Sequence, residues 1–202
     1  YAAGSLSEAH ALVVAAHIDY HHELQQKLSS AEAIGGALLN ESEPQEISDD
    51  LWKNIENRLD AANDQESHVS NDNQDQLPRS LATYLDRGLD ELNWRTMGPG
   101  LSQVRLWTGP NDERLWLLKA KGGAKIPKHD HRSLELTLVL QGSYHVKDER
   151  YTPGLIEVAD ADTHDHQPVI DEGEDCICLV VTEDPIIIHS LVGRLFQPFI
   201  GL

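Results

Sequence analysis

A chain of 202 residues with 34 carboxylates against 16 lysines and arginines, net charge −18, lacks the basic footprint that phosphates require, which argues against direct nucleic-acid binding. Its 40% hydrophobic content suits one large or two small globular domains, and no run of eighteen apolar residues exists to span a membrane. Cys176 and Cys178, the only cysteines, stand too close in an extended segment to form a disulfide, so a reducing cytoplasm is expected. No leader sequence is evident, and Tyr1 in place of Met is consistent with a natural start further upstream.

Residues 1–39 read as helical. Ser5-Leu6-Ser7-Glu8 has capping-box form, and Leu12, Val13, Ala16, Tyr20 and Leu24 recur at three- and four-residue steps to make one apolar face. Ser29-Ser30 and Gly35-Gly36 predict a break or kink. A second helix is expected from Ser48, a good cap, with Asp49 and Asp50 against the helix dipole. Its stripe of Leu51, Trp52, Ile55 and Leu59 is read as the core of a small bundle, with a groove for a partner helix as the alternative.

Between Glu41 and Asp75, eleven carboxylates face only Lys53 and Arg58, so half of the net charge falls in about a sixth of the length. Residues 61–76 carry too little apolar surface to offset ordering entropy and read as a linker. The expected division is 1–76, helical, and 77–202. In the second part Leu81–Leu92 is a short helix or a mixed lead-in. Strand signals follow at Val104–Trp107, Arg114–Ala120, Glu135–Leu140, Ser143–Val146, Ile156–Ala159 and Ile177–Thr182, punctuated by Gly109-Pro110, Gly122-Gly123 and Pro153-Gly154. That rhythm predicts an antiparallel β barrel or jelly roll.

One stretch carries chemistry: Gly123-x5-His129-x-His131-x3-Glu135-x6-Gly142. In a strand, His129 and His131 point to the same face, and Glu135 keeps that parity if the chain returns to register after Arg132-Ser133. Two imidazoles and a carboxylate suit a divalent first-row metal. A further ligand is needed from His145, His164, His166 or His189. His164 and His166 both fall some ten residues after the Pro153-Gly154 turn, whereas His145 reads as a half-exposed strand residue and His189 as a barrel-edge histidine.

The spacing from Gly123 to Gly142 resembles the first cupin motif, and the Pro153-Gly154 turn the second. The fold this implies is α+β, a small N-terminal helical domain followed by an antiparallel β cupin (jelly-roll) barrel. A narrower resemblance rests on Asp165-His166-Gln167-Pro168-Val169, on 176–182, on Gly193-Arg194-Leu195-Phe196-Gln197-Pro198-Phe199 and on the opening Tyr1–Glu8: the chain is similar to ChrR-type anti-sigma factors. That resemblance implies a cupin metal site of His129, His131, Glu135 and His166, with His164 as an alternate ligand, and zinc as the metal. Iron and manganese are compatible with the same donors.

It also implies a second zinc, held in the family by an upstream His and a His-x3-Cys-x2-Cys segment. Here His17 matches, His21 stands at the first Cys and Leu24 at the second, so only His17 and His21 remain as a candidate pair. Cys176 and Cys178 read as small buried hydrophobes on one strand face; a redox-sensing role would need exposure and a lowered pKa. The expected function is that of a cytoplasmic anti-sigma factor. Its helices would sequester an extracytoplasmic-function sigma factor, and its cupin domain would respond to singlet oxygen or peroxide-type stress. Rival readings are a metal-dependent cupin dioxygenase or isomerase, and a cupin regulator that has lost sigma binding. A homodimer through the cupin domain is a further candidate arrangement.

Overall fold

The computed structural model describes residues 1–46, 48–63, 77–109 and 113–189. Three helices come first: α1 (Glu8–Tyr20), α2 (His22–Asn40) and α3 (Asp49–Asn63). The α1 cap is Ser7 rather than Ser5, its hydroxyl accepting from the His10 amide at 3.3 Å. The helix breaks at His21, whose backbone is extended (φ −127, ψ 103), and α2 then runs unbroken through Gly35-Gly36. Ser48 accepts from the Leu51 amide at the start of α3, as its sequence suggests. Most of the expected linker, 64–76, and the segment 193–199 lie outside the described residues.

A short helix, α4 (Arg79–Leu85), and a 3₁₀ turn (Leu89–Glu91) lead into eleven strands among the described residues. These are β1 (Arg95–Gly98), β2 (Leu101–Thr108), β3 (Arg114–Ala120), β4 (His129–Asp130), β5 (Glu135–Gln141), β6 (Tyr144–Val146), β7 (Glu149–Tyr151), β8 (Ile156–Ala159), β9 (Val169–Ile170), β10 (Cys176–Thr182) and β11 (Ile187–Ile188). They form an antiparallel six-stranded sheet in the order β1-β2-β3-β10-β5-β8, a three-stranded sheet β7-β6-β9, and the pair β11-β4.

The six-stranded sheet has apolar residues on both faces, so it must be covered twice. On the outer face Leu115, Leu117, Leu138, Leu179 and Val181 pack with Ala9, Val13 and Ala16 of α1 and with Leu81 and Leu85 of α4. On the inner face Trp116, Val139, Cys178 and Val180 pack with Tyr144 of β6 and Ile170 of β9. Helix α1 is therefore a structural partner of the barrel. Asp19 strengthens the seam by accepting from the Ser80 amide and hydroxyl (2.7 and 2.5 Å) at the start of α4, which has no cap of its own. His10, buried at the other end of α1, donates from Nδ1 to Glu113 Oε1 at 2.6 Å.

Helices α2 and α3 differ from this. No residue of α2 is buried, and Ile34, Leu38 and Leu39 are exposed. The α3 stripe read from sequence as a bundle core is also exposed: Leu51, Trp52, Ile55 and Leu59 retain 39 to 63% of their accessible surface. Among the described residues, only the α1 end of the helical segment is packed on the barrel.

Candidate metal centre

Strand β4 and the segment before β9 are joined by a two-way backbone bond. His129 N donates to His166 O at 3.1 Å, and His166 N donates to His129 O at 2.9 Å. Residue alternation then carries the His131 side chain to the same place. His129, His131 and His166 are all buried, with one ring nitrogen from each inside a 4.8 Å group; among the described residues it is the only group of three or more His, Cys, Asp or Glu so placed. His131 Nε2 lies 2.9 Å from His166 Nδ1, which lies 3.1 Å from His129 Nε2.

The outer nitrogens decide what the inner ones carry. His129 Nδ1 faces the Pro127 carbonyl at 2.8 Å and must donate to it, so its Nε2 presents a lone pair inward. His166 Nε2 faces Glu157 Oε1 at 3.0 Å and donates there, leaving Nδ1 as the inward lone pair. Burial, above all else, pushes His129 and His131 down to about 4, so neither ring gains a proton near neutral pH. The lone pairs of His129 Nε2 and His166 Nδ1 thus face each other at 3.1 Å, with His131 Nε2 2.9 Å from the latter, a convergence of imidazole nitrogens that suits a Lewis-acid cation. The residues fit a metal.

Glu135 opens β5 outside the 4.8 Å group, with Oε2 3.9 Å from His131 Nδ1 and Oε1 accepting from Thr137 at 3.3 Å. Desolvation pushes its carboxyl up to about 7. Glu157 is the residue that sequence reasoning missed. Burial alone would raise its pKa, but hydrogen bonds from His166 and from Tyr144 Oη (2.6 Å) outweigh it and hold the carboxyl below its ordinary value. It is an anion that orients His166. The available signal was weak: in Ile156-Glu157-Val158-Ala159 apolar residues fall on both parities, and Val158 faces solvent while Glu157 faces in.

The other candidate histidines lie elsewhere. His164 is exposed, 3.9 Å from Asp130 Oδ1, outside the three-histidine group. His145 bonds Asp171 at the surface, and His189 pairs with Asp130 at 2.9 Å. His17 Nδ1 and His21 Nε2 both donate to the carbonyl of Gly154, each at 2.8 Å, with ring centroids 4.6 Å apart. Gly154 begins the turn into β8, so this clamp ties the end of α1 to the strand that carries Glu157. Cys176 and Cys178 are buried with sulfurs 3.7 Å apart, and the bond from Cys176, together with burial, raises the Cys178 thiol well above its ordinary value. That is the environment of a packing residue.

His129 and His166 also line a partly open pocket of about 220 Å³ in the barrel, whose wall includes Met97, Leu101, Trp116, Leu118, Ile126 and Val180. No described helix is long and apolar enough to cross a membrane.

A family model described as the ChrR cupin-like domain matches residues 87–184. Over 199 residues the chain is 39% identical to the anti-sigma-E factor ChrR of Cereibacter sphaeroides, covering 98% of this chain and 92% of that protein. Among solved structures it resembles the Rhodobacter sphaeroides complex of SigE with the anti-sigma ChrR, at 39% identity and a TM-score of 0.72, over 90% of this chain and 92% of that one. A cupin protein from Ralstonia eutropha aligns over 52% of this chain and 71% of its own, at 23% identity and a TM-score of 0.47. Identity at this level along nearly the whole length, with an antiparallel cupin barrel behind three helices, settles kinship: the chain belongs to the ChrR family of anti-sigma factors, regulators rather than enzymes.

Proposed function

We propose that this protein is a cytoplasmic anti-sigma factor that sequesters an extracytoplasmic-function sigma factor through its helices and releases it when the cupin domain meets an oxidative signal. The observation that carries the reading is the apolar surface left bare on α2 and α3, where Ile34, Leu38, Leu39, Trp52 and Leu59 remain half or more exposed. A stripe of that size is costly in water and is the mark of a helix-in-groove or helix-on-helix partner. The related ChrR is named an anti-sigma factor and has been solved with SigE.

Residues 1–76 then serve as the binding part and 77–202 as the responding part, with α1 joining them. The metal ligands are His129, His131 and His166 with Glu135 as the fourth, and zinc suits this donor set. When bound, the cation supplies a Lewis acid on which the imidazole lone pairs converge. Pro127 and Glu157 hold the tautomers of His129 and His166. Glu157 lies three residues along the chain from Gly154, whose carbonyl holds His17 and His21, so a shift of β8 reaches α1 directly. His17 and His21 act here as a hydrogen-bonded clamp rather than as ligands of a second zinc.

The test is co-expression with the extracytoplasmic-function sigma factors of the same genome and capture of the complex. A one-to-one complex is expected, abolished by Trp52→Asp with Leu59→Asp. Failure of the intact protein to capture any of them would favour a cupin regulator without sigma binding.

A further inference from the structure

The first turn of α1 meets the barrel through a group of side chains that the three-histidine centre does not use. His10 is buried, and its Nδ1 donates to Oε1 of Glu113, the residue before β3, at 2.6 Å. The Ser7 hydroxyl donates to the same oxygen, so that carboxylate is fixed from two sides. A ring that donates from Nδ1 keeps its lone pair on Nε2. This Nε2 is buried with no hydrogen-bond partner among the described residues. Oε1 of Glu183, the residue after β10, lies 3.8 Å from it, beyond hydrogen-bond reach, and the Glu183 side chain is 46% exposed.

An imidazole tied to a carboxylate through one nitrogen, with the other nitrogen presenting a lone pair, is the arrangement of a metal-bound histidine. A tetrahedral zinc with bonds of about 2.0–2.1 Å holds two donors roughly 3.3 Å apart. The half-exposed Glu183 carboxylate is free to close that difference while His10 stays in place. The α1 dipole opposes a cation here with roughly half a positive charge, but two carboxylates outweigh it.

We propose that His10 Nε2 and Glu183 bind a divalent first-row cation, zinc by its donor set, with water completing the shell and Glu113 orienting the imidazole. An imidazole ligand favours zinc, copper or nickel over magnesium and calcium. The bound cation staples the first turn of α1 to the ends of β3 and β10, while His17 and His21 hold the opposite end of the helix on Gly154. The site is separate from the cupin centre and does not rest on the sigma-factor reading.

The test is equilibrium dialysis of the full-length protein against buffered free zinc, with metal counted per chain. The wild type is expected to fill in two steps, the cupin centre first because it offers more ligands. His166→Ala should lose the tighter step and keep the weaker one. Glu183→Gln and His10→Gln should each keep the tighter step and lose the weaker, and the exposed Glu183 position keeps the test valid if His10→Gln fails to fold. Glu113→Gln should weaken the second step by about 10–100-fold. His189→Gln, at the surface pair with Asp130, should leave both steps in place. Filling of the second step should slow hydrogen exchange in the first turn of α1. A lone step that Glu183→Gln abolishes would keep this site and remove the cupin metal instead. A lone step that Glu183→Gln leaves intact, a second step that survives both Glu183→Gln and His10→Gln, or its displacement by excess magnesium would overturn the proposal.

Discussion

Gly154→Ala tests the joint between helix and barrel. Gly154 has φ +88, and an added Cβ would lie 3.0, 3.1 and 3.2 Å from Cγ, Cβ and Cδ1 of Tyr20 on α1. Gly123 is the natural control: its φ is +77, but the nearest atom to an added Cβ is Glu172 Cγ at 3.9 Å. Both alanines carry the cost of a left-handed backbone, about 1–2 kcal/mol. Only Gly154→Ala adds a clash with a ring held in a packed interface, roughly 1–3 kcal/mol more. Chemical denaturation should therefore show Gly154→Ala less stable than Gly123→Ala by that increment. Hydrogen exchange should place the extra loss in α1, because the His17 and His21 bonds to Gly154 are disturbed with it. Tyr20→Ala in the Gly154→Ala background removes two of the three close contacts and should recover part of the loss. Equal destabilisation by the two alanines, or a loss spread evenly over the barrel, would refute the assignment of this turn as the point where α1 is held.

Other expectations follow from the same geometry. Metal analysis should find His166→Ala depleted and His164→Ala close to wild type; equal retention would remove His166 from the ligand set. Glu157→Gln keeps the shape but not the charge that orients His166, and metal affinity measured against a competing chelator should fall by about 10–100-fold. Tyr20 Oη is buried with no hydrogen-bond partner among the described residues, so Tyr20→Phe should leave stability unchanged or raise it by about 1 kcal/mol. Burial, chiefly, holds His17 below its ordinary 6.5; the bond to Gly154 opposes the shift and the neighbouring His21 adds to it. A folded value below the unfolded one means that the neutral ring favours the fold, so this contribution is present above about pH 6.5 and fades as pH falls through the folded value. Exchange protection of α1, corrected for intrinsic rates, should decline over that window, and His17→Gln should flatten the decline.

The barrel was legible because its longer strands are β-rich apolar runs set off by Gly and Pro turns: β3 and β8 have the bounds that their residues suggest, and β5 and β10 are each extended by one residue. The short strands β4, β7, β9 and β11 were not, since two or three residues carry no readable period and owe their pairing to the strands around them. His129 and His131 could be picked out by spacing, and His166 over His164 only through the family resemblance of its Asp-His-Gln-Pro context, yet Glu157 could not, because its partner His166 is found only across the barrel. Helical periodicity located α1 and α3 but said nothing about cover. The same kind of stripe is buried in α1, where the outer sheet face receives it, and bare in α3, where no described element does. Ser29-Ser30 and Gly35-Gly36 looked like breaks, but the helix ends at His21, where docking on Gly154 imposes the bend.

Strand β10 shows seven consecutive inaccessible residues, Cys176 to Thr182. Most strands police their own alignment through water: a slip of one position would wet the greasy side. Here neither side meets water, so that safeguard is missing, and side-chain volume must do the sorting. Ile177, Leu179 and Val181 are branched wedges packed toward α1, whereas the slim thiols of Cys176 and Cys178 stand opposite Ala120 and Leu118 of β3 on the inner face. The thiols thereby acquire a purpose unconnected with electron transfer, as spacers that let the chain find its one correct alignment.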